Sequence, residues 1–550
     1  MKRILKYLLC TQILAFVPAG VTAGVFDEAV SGGDVSTTSD SASFEDTATS
    51  ESDAESDVGD DSPVVVASPL QFDFNGYVRG DVFAGKMPGY SQTELKNGYG
   101  ELALKLRVSK GSYGDAFGEV RFKGGYLNDG HYLGQPSDVD AYGQPTQVDS
   151  ASEDAGEMGA SVQLREAYVN AYFGRLEVRL GHQIVLWGRA DGINPTNNIT
   201  PIDIRVRSPE EDERRLANTG LRIKLDLSPL RIEGIWMPFY APSVVPQIIL
   251  GDALRFAEPD YPDLDLTNGL FAGKIHLIFP AIEMSVSYLN GYSLTPGIRY
   301  VKNNFSAEYY DEVYDSILNR TKTVSLNRTA FRHQVIGFDF STTLGSFMGL
   351  RGEVAFRYPE KQNEETLKRL HIPNPELHYV LGVDKEFGNL MVVAQYIGRY
   401  VLNWKDLPKA RDFQDDDIED RIDALNAKPE FENLEETVDF NIHEELVNYV
   451  ANRELVKINH MIHNQNYEIQ HGVSLRLSYS ALHDTLTLVA FGMLNFTTQE
   501  YVFYPKIQYK LTDAMELSLG AELYFGPEES LFGMIDETMS AGYTELKISF

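Results

Sequence analysis

The chain has one cysteine in 550 residues, Cys10. It lies inside an N-terminal apolar run, so a chain processed after that run has none, which excludes disulfides and cysteine-held metals. Beyond that run no stretch approaches the roughly 20 consecutive apolar residues of a membrane-crossing helix. Basic residues are outnumbered, 48 Lys and Arg against 80 Asp and Glu, for a formal charge of −32. No basic stripe is present, and nucleic acid is therefore excluded as a partner. The 11 histidines include no nucleophile, base and orienting group in one pattern. His460 and His463 stand at i,i+3 in a helical stretch without a third ligand, and a solvated helix face is the expectation for them. No enzyme activity, metal or cofactor is expected.

What is present begins at the N-terminus. Lys2 and Arg3 precede an apolar run from Tyr7 to Val17, Pro18 and Gly20 break it, and Val21-Thr22-Ala23 supplies small residues before Gly24. This reads as a secretory signal peptide over 1–23. Tyr7-Leu8-Leu9 before Cys10 is a poor lipobox. Between Phe26 and Asp61 stand 12 acidic residues and no basic one, among Ser, Thr, Gly and Ala. Such a segment buries too little apolar surface to fold, and 24–69 reads as an acidic, disordered periplasmic arm. It is too short and too polar for a folded plug.

From Leu70 onward the sequence alternates. Leu102, Leu104, Leu106 and Val108 interleave with Glu101, Lys105, Arg107 and Ser109; Leu221, Ile223 and Leu225 flank Arg222 and Lys224; Val473, Leu475, Leu477 and Tyr479 interleave with Ser474, Arg476 and Ser478. A helical period would scatter these charges around a cylinder, so the segments are strands. The pattern predicts 18 of them across 70–550, with 16 as the other possible count. Connections predicted from even to odd strands are short, as at Gly174, Ser228-Pro229, Gly345 and Thr512-Asp513, whereas nearly all the opposite ones are long, including 86–96, 188–217 and 402–466. Mean hydropathy is −0.25, as for a soluble protein, but a barrel that is apolar outside and polar inside averages the same. The expected fold class is all-β: a transmembrane antiparallel barrel with short periplasmic turns and long outer loops. The 30 Tyr and 29 Phe against 3 Trp suit aromatic girdles at its two rims.

The last residues, Leu546, Ile548 and Phe550 alternating with Glu545, Lys547 and Ser549, resemble the assembly signal of bacterial outer-membrane barrels, although Ile548 stands where a second aromatic is common. The stretch from Gly181-His182-Gln183 through Trp187-Gly188 to Asn194-Pro195 is similar to a signature of large, poorly characterised porin-like outer-membrane families. That likeness covers 180–216. It implies a channel-like protein and supplies no catalytic residue. In its own terms Trp187 is an anchor for the membrane interface or the barrel wall, Gly188 and Gly192 permit turns, and Ser208-Pro209-Glu210-Glu211 starts a short helix. Glu210 with Arg214 and Glu211 with Arg215 are then i,i+4 pairs.

A structured early loop suggests a constriction folded into the channel. Its charges, Arg205, Arg207, Glu210, Glu211, Arg214 and Arg215, would face a wall carrying Arg79, Lys105, Arg107, Arg121 and Lys123, with a transverse field between them. Residues 402–466 carry Val438, Ile442, Leu446, Tyr449, Val450 and Leu455 near helical spacing and predict a helix at the outer mouth. Asp415, Asp416, Asp417, Glu419 and Asp420 lack the spacing of a calcium loop and read as solvated. The expectation is an outer-membrane channel passing small polar solutes, embedded in outer-membrane lipid and inserted by the barrel assembly machinery, with both termini periplasmic. The alternative is an adhesin or structural barrel acting through its outer loops. Solute and oligomeric state are not encoded legibly.

Overall fold

The computed structural model describes residues 70–86, 92–127, 157–203, 206–209, 211–244, 254–303, 324–345, 347–360, 371–404, 455–527 and 530–550. The leader over 1–23, the acidic arm over 24–69, Arg205, Glu210, the Asp415 to Asp420 run and the stretch from Val438 to Val450 lie outside them.

The strands, in chain order, are β1 (Gln71–Lys86), β2 (Thr93–Lys110), β3 (Gly114–Leu127), β4 (Glu157–Phe173), β5 (Leu176–Gln183), β6 (Asn218–Leu227), β7 (Leu230–Met237), β8 (Leu254–Phe256), β9 (Leu270–Ile278), β10 (Ile282–Tyr292), β11 (Gly297–Asn303), β12 (Val324–Thr329), β13 (Arg332–Leu344), β14 (Met348–Pro359), β15 (Glu376–Phe387), β16 (Leu390–Val401), β17 (Ile469–Ala481), β18 (Leu486–Asn495), β19 (Glu500–Thr512), β20 (Met515–Phe525) and β21 (Ala541–Ser549). All but β8, β11 and β12 form one 18-stranded antiparallel sheet, closed by pairing of β1 with β21. Every backbone group in such a sheet finds its partner in a neighbouring strand, so no edge is left open.

The alternation in the sequence becomes two surfaces. On β1, Phe72, Phe74, Val78 and Val82 are exposed on the outside while Tyr77, Arg79, Asp81 and Phe83 are buried inside. On β21, Leu546 and Ile548 point out, and Tyr543 and Glu545 point in. Strands follow one another through turns of two to four residues at one end, whereas all but two of the opposite connections run from 15 to 67 residues. One exception corrects the reading of 86–96 as a long loop: β2 begins at Thr93, so the connection is 87–92.

The loops carry more order than their sequence suggested. β11 pairs antiparallel with β12 and β12 parallel with β8, making a small separate sheet. A helix, Leu531–Met539, capped by Ser530, packs inside the barrel through Phe532, Ile535 and Met539. The described part of the expected mouth helix runs over 455–462 and buries Leu455, Ile458, Met461 and Ile462. β5 stops at Gln183 rather than running to Trp187, which shifts the following residues into the lumen.

Closure of the barrel depends on the end of the chain. Gly76 and Phe550 exchange both backbone hydrogen bonds, at 2.9 and 3.0 Å. The Phe550 ring lies 6.4 Å from that of Phe74 and so close over Gly76 that a Cβ there would stand 2.9 Å from it. Deleting Phe550, or replacing outward-facing Leu546 with Asp, is therefore expected to lower the yield of heat-modifiable, folded barrel several-fold. Gel-shift assay of unboiled samples measures it, and normal yield of both variants would refute this account of the seam.

Candidate functional site: a loop across the lumen

The connection from β5 to β6 leaves the wall at Gln183, whose amide is held by the Gly220 carbonyl at 2.9 Å. Ile184 N–H is then taken by Glu166 at 2.7 Å. The next apolar residues turn inward, because the wall they meet is apolar. Val185, Trp187 and Ile199 bury themselves against Ile235, Met237, Leu270, Ala272, Leu289, Val335 and Ala355. Of the two anchoring roles open to Trp187, the structure chooses the wall: its indole N–H donates to Glu233 at 3.3 Å inside the barrel. Thr200 closes the arch, donating to the Val185 carbonyl while accepting from Val185 N–H at 3.1 Å.

At its tip the loop wraps a carboxylate. Glu353 of β14 accepts the N–H groups of Arg189 and Ala190, the second at 2.6 Å, and the Thr196 hydroxyl at 3.0 Å. Gly188 makes this approach possible. Its φ is +115°, and a Cβ there would lie 2.6 Å from the Asn194 side chain and 2.8 Å from Glu353. Arg189 then reaches Asp339 at 2.9 Å and Glu283 at 2.5 Å, Asp339 also binds Lys274 at 2.8 Å, and Asp191 faces Arg476 at 3.5 Å. Arg351 pairs with Asp384 at 2.6 Å and donates to the Arg189 carbonyl.

The returning half is fastened to the opposite wall. Among its described residues the helical turn is the 3-10 helix Glu211–Arg214, shorter than the helix that Ser208-Pro209 announced. Glu213 sits between Arg79, at 3.0 Å, and Arg121. Arg165 of β4 donates to the carbonyls of Asp212, Glu213 and Arg215. Tyr99 donates to the Arg207 carbonyl at 2.7 Å, and Arg207 to the Met539 carbonyl at 3.0 Å. Arg214 meets Glu522 at 3.1 Å and Arg215 meets Asp212 at 2.9 Å. Burial alone would raise the Glu213 pKa. Arg79, Arg121 and Arg165 outweigh it and hold this carboxyl well below the usual carboxylate range.

The residues singled out in the sequence thus divide. Arg79, Arg121, Arg207, Arg214 and Arg215 are all buried where the loop meets the wall. Lys123 pairs with Glu101 at 3.2 Å beside them. Lys105 and Arg107 stand nearer the short-turn end, partly exposed, opposite Glu119 and Asp115. The Glu211 backbone opens the 3-10 helix, and Arg205 and Glu210 are not among the described residues. Instead of facing an acidic wall across open space, Arg79 and Arg121 share the loop's Glu213 with the wall's own Asp81, Glu101, Glu119 and Glu545. Sequence reasoning missed Glu213, Glu353, Asp339, Arg165 and Arg189. Glu353 alternates with apolar Val354 and Phe356 in the sequence, but nothing local told what it would hold. Among the described residues no group of three His, Cys, Asp or Glu is placed to hold a metal ion, and His463 packs edge-on against Phe331 with ring centres 5.4 Å apart rather than on a solvated face.

One family model matches, described as a protein of unknown function (DUF1302), over residues 27–248. No curated protein sequence matches the chain. Similar solved structures include OccK9 (OpdG) of Pseudomonas aeruginosa, at TM-score 0.44 and 10% identity, covering 87% of this chain and 97% of that one. A BenF-like porin of Pseudomonas fluorescens Pf-5 gives TM-score 0.44 and 11% identity over 87% and 98%. OpdK of Pseudomonas aeruginosa, solved with vanillate, gives 0.43 and 9% over 87% and 98%.

Proposed function

We propose that the chain is a bacterial outer-membrane channel that passes small polar solutes passively, narrowed by the 184–217 loop. The observation that carries this reading is the combination of an apolar outer surface, a charged inner wall and a loop fixed to both sides of the lumen. Lipid satisfies the first, water and solutes the second, and the loop leaves a restricted path between them. With the short turns, the start of β1 and Phe550 on one side, the periplasm is the natural location of that side, and the barrel assembly machinery and outer-membrane lipids are the implied partners. Lys105 and Arg107, less buried than the other wall cations, are the wall residues that meet solute from the periplasmic side.

Planar-bilayer recording tests the reading. Stepwise single-channel conductance is the expected result, and a folded but silent barrel would shift the weight to adhesion. Orientation has its own test. An epitope inserted beside exposed Asp265, in the long β7–β9 connection, is expected to be reached by antibody on intact cells. One inserted at Gly345, in the turn between β13 and β14, should be reached only after the outer membrane is permeabilised. The reverse pattern would invert the topology.

A further inference from the structure

Five of the chain's 11 histidines meet at one place, beneath the helix at the long-loop mouth. His333 enters from β13, His371 from the connection before β15, His378 from β15, and His460 and His463 from the 455–462 helix and the turn that follows it. His333, His371 and His378 are each at most 5% exposed. Phe331 stands edge-on to both His333 and His463.

The charges around them are lopsided. Arg357 of β14 acts electrostatically on His333, His378 and His463, and Arg399 of β16 acts on His378. Among the described residues the carboxylate facing these is Glu376 of β15, bound to Arg357 at 3.2 Å and to Arg399 at 2.9 Å. The nearby Arg332 and Glu360 balance each other at 3.8 Å. β17 contributes uncharged Gln470. Nε2 of His333, Nδ1 of His378 and Nε2 of His463 have no hydrogen-bond partner; a hydrogen bond to the His371 backbone favours protonation of His463, but burial outweighs it.

The segment these groups hold is fastened by hydrogen bonds. Arg399 also donates to the His463 carbonyl at 3.0 Å, Gln465 to Glu376 at 3.0 Å, Gln470 to the Asn464 carbonyl at 2.8 Å, and Asn459 exchanges two bonds of 2.8 Å with the backbone of Ile298. Trp404 donates its indole N–H to the Gln465 carbonyl at 3.0 Å.

We propose that residues 455–465 form an acid-released latch on the outer mouth, expelled when the histidines beneath it take up protons beside Arg357 and Arg399. This is a regulation of the proposed channel and rests on that reading. The sign follows from where each form binds protons. Burial, with Arg357 and the neighbouring His460 and His371 adding to it, holds the His463 pKa down at about 3, and burial lowers that of His460. An exposed histidine titrates near 6.5. The docked latch is therefore fully stable above about pH 6.5, and below it His463 shifts the balance toward release by up to about tenfold per pH unit, with His460 acting in the same direction.

Fluorescence of Trp404 reads the latch directly, with Trp404→Phe as the blank. Between pH 7.5 and 4.5, emission is expected to move to the red and iodide quenching to rise several-fold, with a midpoint below pH 6.5 and a slope above one proton. His463→Phe, which keeps an aromatic ring against Phe331, should move the midpoint acidward by at least about half a unit. Glu376→Gln should move it toward neutral, and if that variant does not fold, His463→Phe and His378→Phe decide. A flat Trp404 signal in the folded protein, or a midpoint unchanged in both histidine variants, overturns the latch. Bilayer recording alongside separates the two ideas: a titrating Trp404 in a barrel silent at every pH keeps the latch and removes the channel, whereas conductance over a flat Trp404 signal removes the latch alone.

Discussion

Replacing Glu213 with Gln is expected to free the returning half of the lumen loop and to raise single-channel conductance at least about twofold. Arg79 and Arg121 would lose the carboxylate that lies between them. Breaking a buried pair by removing one partner costs about 3–5 kcal/mol where the remaining charge is left unmatched, and less here, because Arg79 keeps Glu101 and Glu545 and Arg121 keeps Glu119. Here two guanidinium groups remain, with Arg165 close by on β4. Moving the loop away lets water reach them and should turn the reversal potential toward anions, most clearly at low salt. The pH dependence has a definite sign. The Glu213 pKa is depressed, so the tie is complete above the ordinary glutamate value of about 4.3 and is lost only as pH falls toward the lower folded value. Mild acid that releases the mouth should therefore leave the constriction in place. Unchanged conductance and selectivity in folded Glu213→Gln would show that the loop does not limit the path.

The second large effect belongs to Gly188. Substituting Val puts a branched side chain where φ is +115° and where Asn194 and Glu353 leave no room for a Cβ. Backbone strain of this type costs about 1–3 kcal/mol. Displacing the tip also strands the Arg189 and Ala190 N–H groups that Glu353 accepts, at about 1–3 kcal/mol for each unsatisfied buried group. Heat-modifiability at a lower temperature and noisy, unstable conductance levels are the expected outcome. Glu353→Gln tests the same nest without the steric clash and should show a milder form of both. A Gly188→Val barrel with wild-type melting and quiet channels would contradict the geometry of the tip.

How much of this was legible in the sequence depends on how local the cause is. The 18 barrel strands follow from a period of two that lipid and water impose on each strand separately, and the short turns follow from residues such as Gly174, Gly345 and Gly388, which take positive φ. β8, β11 and β12 did not show, because they are three to seven residues long and find each other across long connections. The run from Ile184 to Trp187 misled for a physical reason: its apolar residues suit a lipid-facing strand, yet they cover an apolar patch on the inner wall. The wall arginines were visible as inward positions of alternating strands. Their partner was not, since Glu213 lies 134 residues from Arg79 in the chain and no local pattern links the two.

That last contact has a consequence for how the protein is made. Arg79 touches Glu101 on the second strand, Glu545 on the final strand and Glu213 on the loop, at 3.0, 3.6 and 3.0 Å. One guanidinium therefore joins the first strand, the last strand and the constriction. Until β21 zips onto β1, that cation lacks one of its counter-charges and sits at an open seam accessible to water, where its hold on Glu213 is weakened by the solvent's high dielectric. The tie between Arg79 and the constriction is thus complete only once the wall has closed, so the seam and the loop share one charge.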